Sequence, residues 1–117
     1  MLYIEFTKKC NSRCITCSYW KNQIEERKVT EEDIFKLIRK LPDLRVIIFT
    51  GGEATLYSNE LFEIAGKIKA IFPHIELRLL TNGINITNII DIIQECFQVV
   101  VFSFDAANKT TYQKIRG

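Results

Sequence analysis

Leu2-Tyr3-Ile4-Glu5-Phe6 runs into Thr7-Lys8-Lys9 and then Cys10-Asn11-Ser12-Arg13-Cys14-Ile15-Thr16-Cys17: a short apolar strand, then a loop with three thiols within eight residues. Thiolates are the soft ligands that zinc and iron–sulfur clusters favour, and a loop returning to one point at steps of four and three residues can wrap one inorganic core. Three is the informative number. A closed structural zinc or a ferredoxin-type cluster takes four protein ligands, so three thiols leave either a partner elsewhere or one metal position open for chemistry.

Strand and helix patterns alternate from there to the end. The polar stretch Lys21 to Lys28 is expected to cross the surface. Thr30-Glu31-Glu32-Asp33 reads as a capped helix start, with Ile34, Leu37, Ile38 and Leu41 on one face and Pro42 as the stop. Arg45 to Thr50 is a strand ending at Gly51-Gly52-Glu53, where two glycines let backbone approach closely. Ser58 is the expected N-cap of a second helix to about Phe72, with Leu61, Phe62, Ile64, Ala65, Ile68 and Ile71 as its apolar face. Ile75 to Leu80 is the third strand and ends at Thr81-Asn82-Gly83, a pair that reads first as a turn. Ile86, Ile89, Ile90 and Ile93 follow at helical spacing, then a strand over Val99 to Phe104, Asp105, and a helix from about Lys109 to Ile115. The fold class is therefore α/β, in the order β-α-β-α-β-α-β-α.

Strands separated by helices of this length are parallel neighbours, so their C-terminal ends share one edge. That edge carries the cysteine loop, Gly51-Gly52-Glu53, Thr81-Asn82-Gly83 and Ser103-Phe104-Asp105. In a β/α barrel or a doubly wound sheet it is the edge where ligands bind.

With 117 residues, 47% of them apolar, and a net charge of +2, the chain is expected to be one small globular domain. Mixed charges argue against nucleic acid or an acidic membrane as the main partner. No apolar run nears the ~18 residues of a membrane span, and Glu5, Lys8 and Lys9 stand where a secretory signal would be apolar. The expected location is the cytoplasm, where clustered cysteines are metal ligands rather than disulfides.

The CxxxCxxC spacing of Cys10, Cys14 and Cys17 after a first strand, with Gly51-Gly52-Glu53 after a second, resembles the radical S-adenosylmethionine (radical SAM) superfamily. Ser103 and the terminal Ile115-Arg116-Gly117 extend the likeness over essentially the whole chain. The resemblance implies a partial TIM barrel of parallel β/α units, of which residues 1–117 are the N-terminal portion and apparently truncated. It implies a 4Fe-4S cluster on the three cysteines, with S-adenosylmethionine completing the fourth iron. It further implies cofactor contacts from Gly51, Gly52 and Glu53 to the methionine amino group, and from Ser103 and Arg116 to the ribose or the methionine carboxylate. The chemistry implied is reductive cleavage of the cofactor to a 5′-deoxyadenosyl radical, fed by an electron donor such as flavodoxin or ferredoxin. The substrate would be an unidentified small molecule or peptide, as in peptide or cofactor maturation, and this stretch alone would not turn it over. Two residues depart from the family pattern: Thr16 replaces a usual aromatic that touches adenine, and Ala54 replaces a proline after the glutamate.

Two other classes remain open. An electron-transfer or metal-binding module would saturate its irons with protein, yet the edge offers no fourth thiol, since Cys96 precedes the fourth strand and reads as a buried free cysteine. A structural zinc would need His74, the only histidine, which precedes the third strand and so falls at the opposite end of the sheet. Tyr19 and Trp20 are either core or cover for the cysteine loop.

Overall fold

A computed structural model describes residues 1–21, 28–84 and 86–117. Residues 22–27, most of the polar stretch expected to cross the surface, fall outside the described residues. Strands β1 (Leu2–Thr7), β2 (Val46–Gly51), β3 (Glu76–Thr81) and β4 (Val99–Phe102) form one parallel sheet in the order β1-β2-β3-β4. Helices α1 (Glu31–Arg39), α2 (Ser58–Ile71) and α3 (Ile90–Cys96) connect successive strands, and α4 (Lys109–Arg116) follows β4.

The choice between barrel and doubly wound sheet is settled by strand order and by which residues the helices cover. A doubly wound sheet reverses its order part-way and carries helices on both faces. Here the order never reverses, and Ile4, Phe49, Leu79 and Val100 form one cross-strand row that packs with Ile34, Phe35 and Ile38 of α1, Leu61, Ile64 and Ile68 of α2, and Ile93 of α3. The opposite face carries the row Tyr3, Ile48, Arg78 and Val99. One-sided helix cover on a sequentially ordered parallel sheet is an open arc of a β/α barrel.

The helices form where the residue pattern puts them, but their buried faces are rotated. Thr30 caps α1 as expected, its hydroxyl accepting from the Asp33 amide at 3.1 Å while Asp33 Oδ2 accepts back from the Thr30 amide. The buried stripe of α1 is Ile34, Phe35 and Ile38, whereas Leu37 and Leu41 are 40% and 39% exposed. Phe35, stacked toward Phe72, takes the place expected of Leu37. On α2, Leu61, Ile64, Ala65 and Ile68 are buried but Ile71 is exposed. Ser58 is the first residue of α2 rather than its cap, because a 3-10 turn over Ala54–Tyr57 precedes the helix and Glu53 caps that turn through the Thr55 amide. Strand β4 ends at Phe102, two residues early, and among the described residues pairs only with β3, with Val101 and Phe102 47% and 46% exposed. Its apolar sequence suits a strand covered on both faces; in this sheet it lies at an edge. Among the described residues no helix is long and apolar enough to cross a membrane.

Replacing Thr30 by Ala should lower unfolding free energy by about 1 kcal/mol, the usual value of an N-cap side chain. Denaturant unfolding checks this. An unchanged midpoint would show that the Asp33 carboxylate holds the helix start unaided.

Candidate cofactor site at the C-terminal edge of the sheet

The cysteine loop leaves β1 and is stitched to the end of β2. The Gly52 amide donates to Thr7 O at 2.7 Å and the Glu53 amide to Lys9 O at 2.8 Å, so the loop continues the sheet for two rungs. This contact explains both glycines. A Cβ on Gly51, which has φ +135°, would stand 2.3 Å from Thr7 O, and one on Gly52 would stand 2.2 Å from Lys9 O. Any side chain there must displace the cysteine loop. Gly51 and Gly52 thus also help set the position of the cysteine loop.

Glu53 has a second role as well. The residue is 2% exposed; Oε1 accepts from the Thr55 amide (3.2 Å), Thr55 Oγ1 (2.6 Å) and Thr81 Oγ1 (2.8 Å), and Oε2 from the Asn82 amide (2.7 Å). It is a buried tie between the ends of β2 and β3. Oε2 accepts from the Asn82 amide and has further lone-pair capacity. Asn82, read from sequence only as a turn residue, makes that turn by accepting from the Ile84 amide and also donates to Asn11 Oδ1 at 2.7 Å. Three strand ends thus meet on one loop.

The fourth arrives through α4. The Arg13 amide donates to Arg116 O at 3.0 Å and the Ile15 amide to Ile115 O at 2.8 Å, so the last carbonyls of α4, which lack partners within the helix, accept from the cysteine loop. Ser12, buried and not singled out by any motif, donates from Oγ to Arg116 O at 2.7 Å and lies 3.4 Å from Cys14 Sγ; its amide points to Cys10 Sγ, also at 3.4 Å. Arg116 is no frayed end. Its Nη1 donates to Cys14 Sγ at 3.5 Å, and its buried Nε forms an ion pair with Asp105 Oδ2 that lacks hydrogen-bond alignment. Burial would pull the Arg116 pKa down, but the Cys14 sulfur and Asp105 outweigh it and hold the guanidinium more firmly charged than a free one. Ser103 continues the β4 pairing, its amide donating to Thr81 O at 2.9 Å, and is half-buried.

Of the thiols, Cys14 is buried and Cys10 and Cys17 are half-buried. Burial pushes the Cys10 thiol up; the Ser12 amide opposes this, and the nearby Glu53, Cys14 and Cys17 reinforce it. Among the described residues no three Cys, His, Asp or Glu side chains converge on a point where one ion could sit. Three thiolates from one loop can each ligate one iron of a polynuclear core, which leaves a fourth iron for another ligand. Tyr19 and Trp20 act as cover: the Trp20 indole N–H donates to Cys14 O at 2.9 Å and the Tyr19 hydroxyl to Glu5 Oε2 at 2.8 Å. Cys96 sits in the core at the end of α3, and His74 packs edge-on against Phe72 in the turn before β3, at the other end of the strands. Thr16 is exposed, and Ala54 is fully buried at the start of the 3-10 turn.

The profile of the Radical SAM superfamily matches residues 4–117. The chain belongs to the radical SAM superfamily. Radical SAM proteins use a 4Fe-4S cluster and S-adenosylmethionine and require a reductant. Similar proteins include the probable GTP 3′,8-cyclase of Pyrococcus horikoshii, 31% identical over 121 residues that cover 99% of this chain and 37% of that protein. The probable GTP 3′,8-cyclase of Pyrococcus abyssi is 31% identical over 121 residues, with 99% and 38% covered. The GTP 3′,8-cyclase of Clostridium acetobutylicum is 31% identical over 119 residues, with 97% and 37% covered. The chain thus spans 37–38% of the length of these curated relatives.

Proposed function

We propose that residues 1–117 are the N-terminal portion of the core domain of a radical SAM enzyme. Cys10, Cys14 and Cys17 hold its 4Fe-4S cluster, and Gly51, Gly52, Glu53, Ser103 and Arg116 surround S-adenosylmethionine. The observation that carries this reading is the meeting of three thiols, the Gly51-Gly52-Glu53 turn and Arg116 on one loop at the C-terminal edge of a parallel sheet. When bound, the cluster supplies the electron that breaks a C–S bond of S-adenosylmethionine, releasing methionine and a 5′-deoxyadenosyl radical that takes a hydrogen atom from the substrate.

The chain's own residues bind and orient. Gly51 and Gly52 bring backbone to the cofactor's methionine end, and the open lone pair on Glu53 Oε2 receives its ammonium. Ser103 offers a hydroxyl to the ribose, and Arg116 brings a cation to the carboxylate. The names of the relatives extend the proposal to a guanosine nucleotide as the substrate class, with flavodoxin or ferredoxin as the reductant and the cytoplasm as the location.

Anaerobic reconstitution with iron and sulfide is expected to give a brown protein whose absorption and electron paramagnetic resonance (EPR) spectra change when S-adenosylmethionine is added. Spectra indifferent to the cofactor would favour an electron-transfer module instead. A colourless protein with one zinc per chain would make the loop a structural zinc site.

A further inference from the structure

The resemblance assigns Arg116 to the cofactor, yet its side chain and its carbonyl both address the cysteine loop. Arg116 touches that loop in three ways. Its carbonyl accepts from the Arg13 amide and from Ser12 Oγ, and its Nη1 donates to Cys14 Sγ. Asp105, in the segment between β4 and α4, holds the guanidinium from the other side through Nε. Ser12 Oγ donates to Arg116 O and lies 3.4 Å from Cys14 Sγ, where either atom could donate. Arg116 Nη1 brings a charged donor to the same sulfur.

We propose that Arg116 is a positioning residue for the cluster as well as a neighbour of the cofactor: anchored by Asp105, it donates a charge-assisted hydrogen bond to the Cys14 sulfur and so sets the reduction potential of the bound cluster. This rests on the reading of Cys14 as a cluster ligand. Hydrogen bonds and positive charge at a cysteinyl sulfur withdraw electron density and favour the reduced, more negative cluster. The backbone part of the contact is separate, because the carbonyls of Ile115 and Arg116 hold the loop whatever the side chain.

That separation gives the test. In the reconstituted protein, Arg116→Gln should keep the wild-type iron content and shift the reduction potential to a more negative value, and Arg116→Lys, which restores the charge without the fork, should recover part of the shift. Hydrogen exchange in the metal-free Arg116→Gln protein should leave the Arg13 and Ile15 amides protected. Wild-type protein labelled with guanidino-15N arginine should show nitrogen modulation in the pulsed EPR signal of its reduced cluster, a measurement that does not depend on any variant folding. An unchanged potential in fully loaded Arg116→Gln, exposure of the two amides, or absence of the nitrogen signal would each overturn the proposal. Failure of the wild-type protein to take up iron would instead bring down the cluster reading itself.

Discussion

Replacing Cys10, Cys14 or Cys17 singly by Ala should remove essentially all cluster iron after reconstitution, while Cys96→Ala retains it. With only three thiols on the loop, each ligating one iron, no spare thiol can take over; His74 and Cys96 lie away from this edge of the sheet. The three losses differ in their secondary effects. Cys10→Ala and Cys17→Ala remove half-buried groups, whereas Cys14→Ala also empties a buried position between Ser12 Oγ and Arg116 Nη1 and should loosen the contact with α4. Cys96→Ala removes a small apolar group from the core, at a stability cost on the order of 1 kcal/mol. Iron and acid-labile sulfide per chain are the measurements. Full iron in any of the three loop variants, or its loss in Cys96→Ala alone, would overturn the ligand set.

The second large effect is expected at Glu53. Glu53→Ala strands the Thr55 amide and hydroxyl, the Thr81 hydroxyl and the Asn82 amide, all gathered around the carboxylate of a buried residue. Hydrogen bonds to charged groups contribute about 1.5–3 kcal/mol each, and they are not additive around one shared acceptor. A loss on the order of 3 kcal/mol in unfolding free energy is therefore expected. Glu53→Gln should recover little, because its NH2 would face one of the same donors. Weaker S-adenosylmethionine binding should accompany the loss, since the tie aligns the ends of β2 and β3 beside the cysteine loop. Measuring both quantities separates the roles: lost cofactor affinity with unchanged unfolding free energy would assign Glu53 to the cofactor alone.

Both predictions depend on how far a side chain's role can be traced along the chain. The order of strands and helices was legible, because the elements carry their own periods and local signals mark their ends: Thr30 and Asp33 at the start of α1, Pro42 after it. Parallel pairing followed from the connection lengths, and with it the gathering of the cysteine loop, Gly51-Gly52-Glu53, Thr81-Asn82-Gly83 and Ser103 along one edge. Periodicity was less reliable about which residues face inward. A helix of nine residues offers adjacent stripes of similar hydrophobicity, and contact with Phe72 and the sheet favoured Phe35 over Leu37. The cap expected at Ser58 was displaced because Glu53, five residues upstream, supplies an acceptor to the preceding turn.

The sequence by itself determined the alternation of elements, the common edge of the strands and the three-thiol spacing, since each of these is written in residues a few positions apart. Tertiary structure alone decided that Gly51 and Gly52 are glycine because Thr7 and Lys9 run against them, that Asn82 reaches Asn11, and that Ser12 and Arg116 meet Cys14. The physical reason is separation along the chain. Arg116 and Cys14 stand 102 positions apart, Arg116 O and Ser12 Oγ 104, and Asn82 and Asn11 71. No local period or turn rule connects such residues; only the parallel stacking of four β/α units, which returns every strand to the same edge, brings them within hydrogen-bond reach.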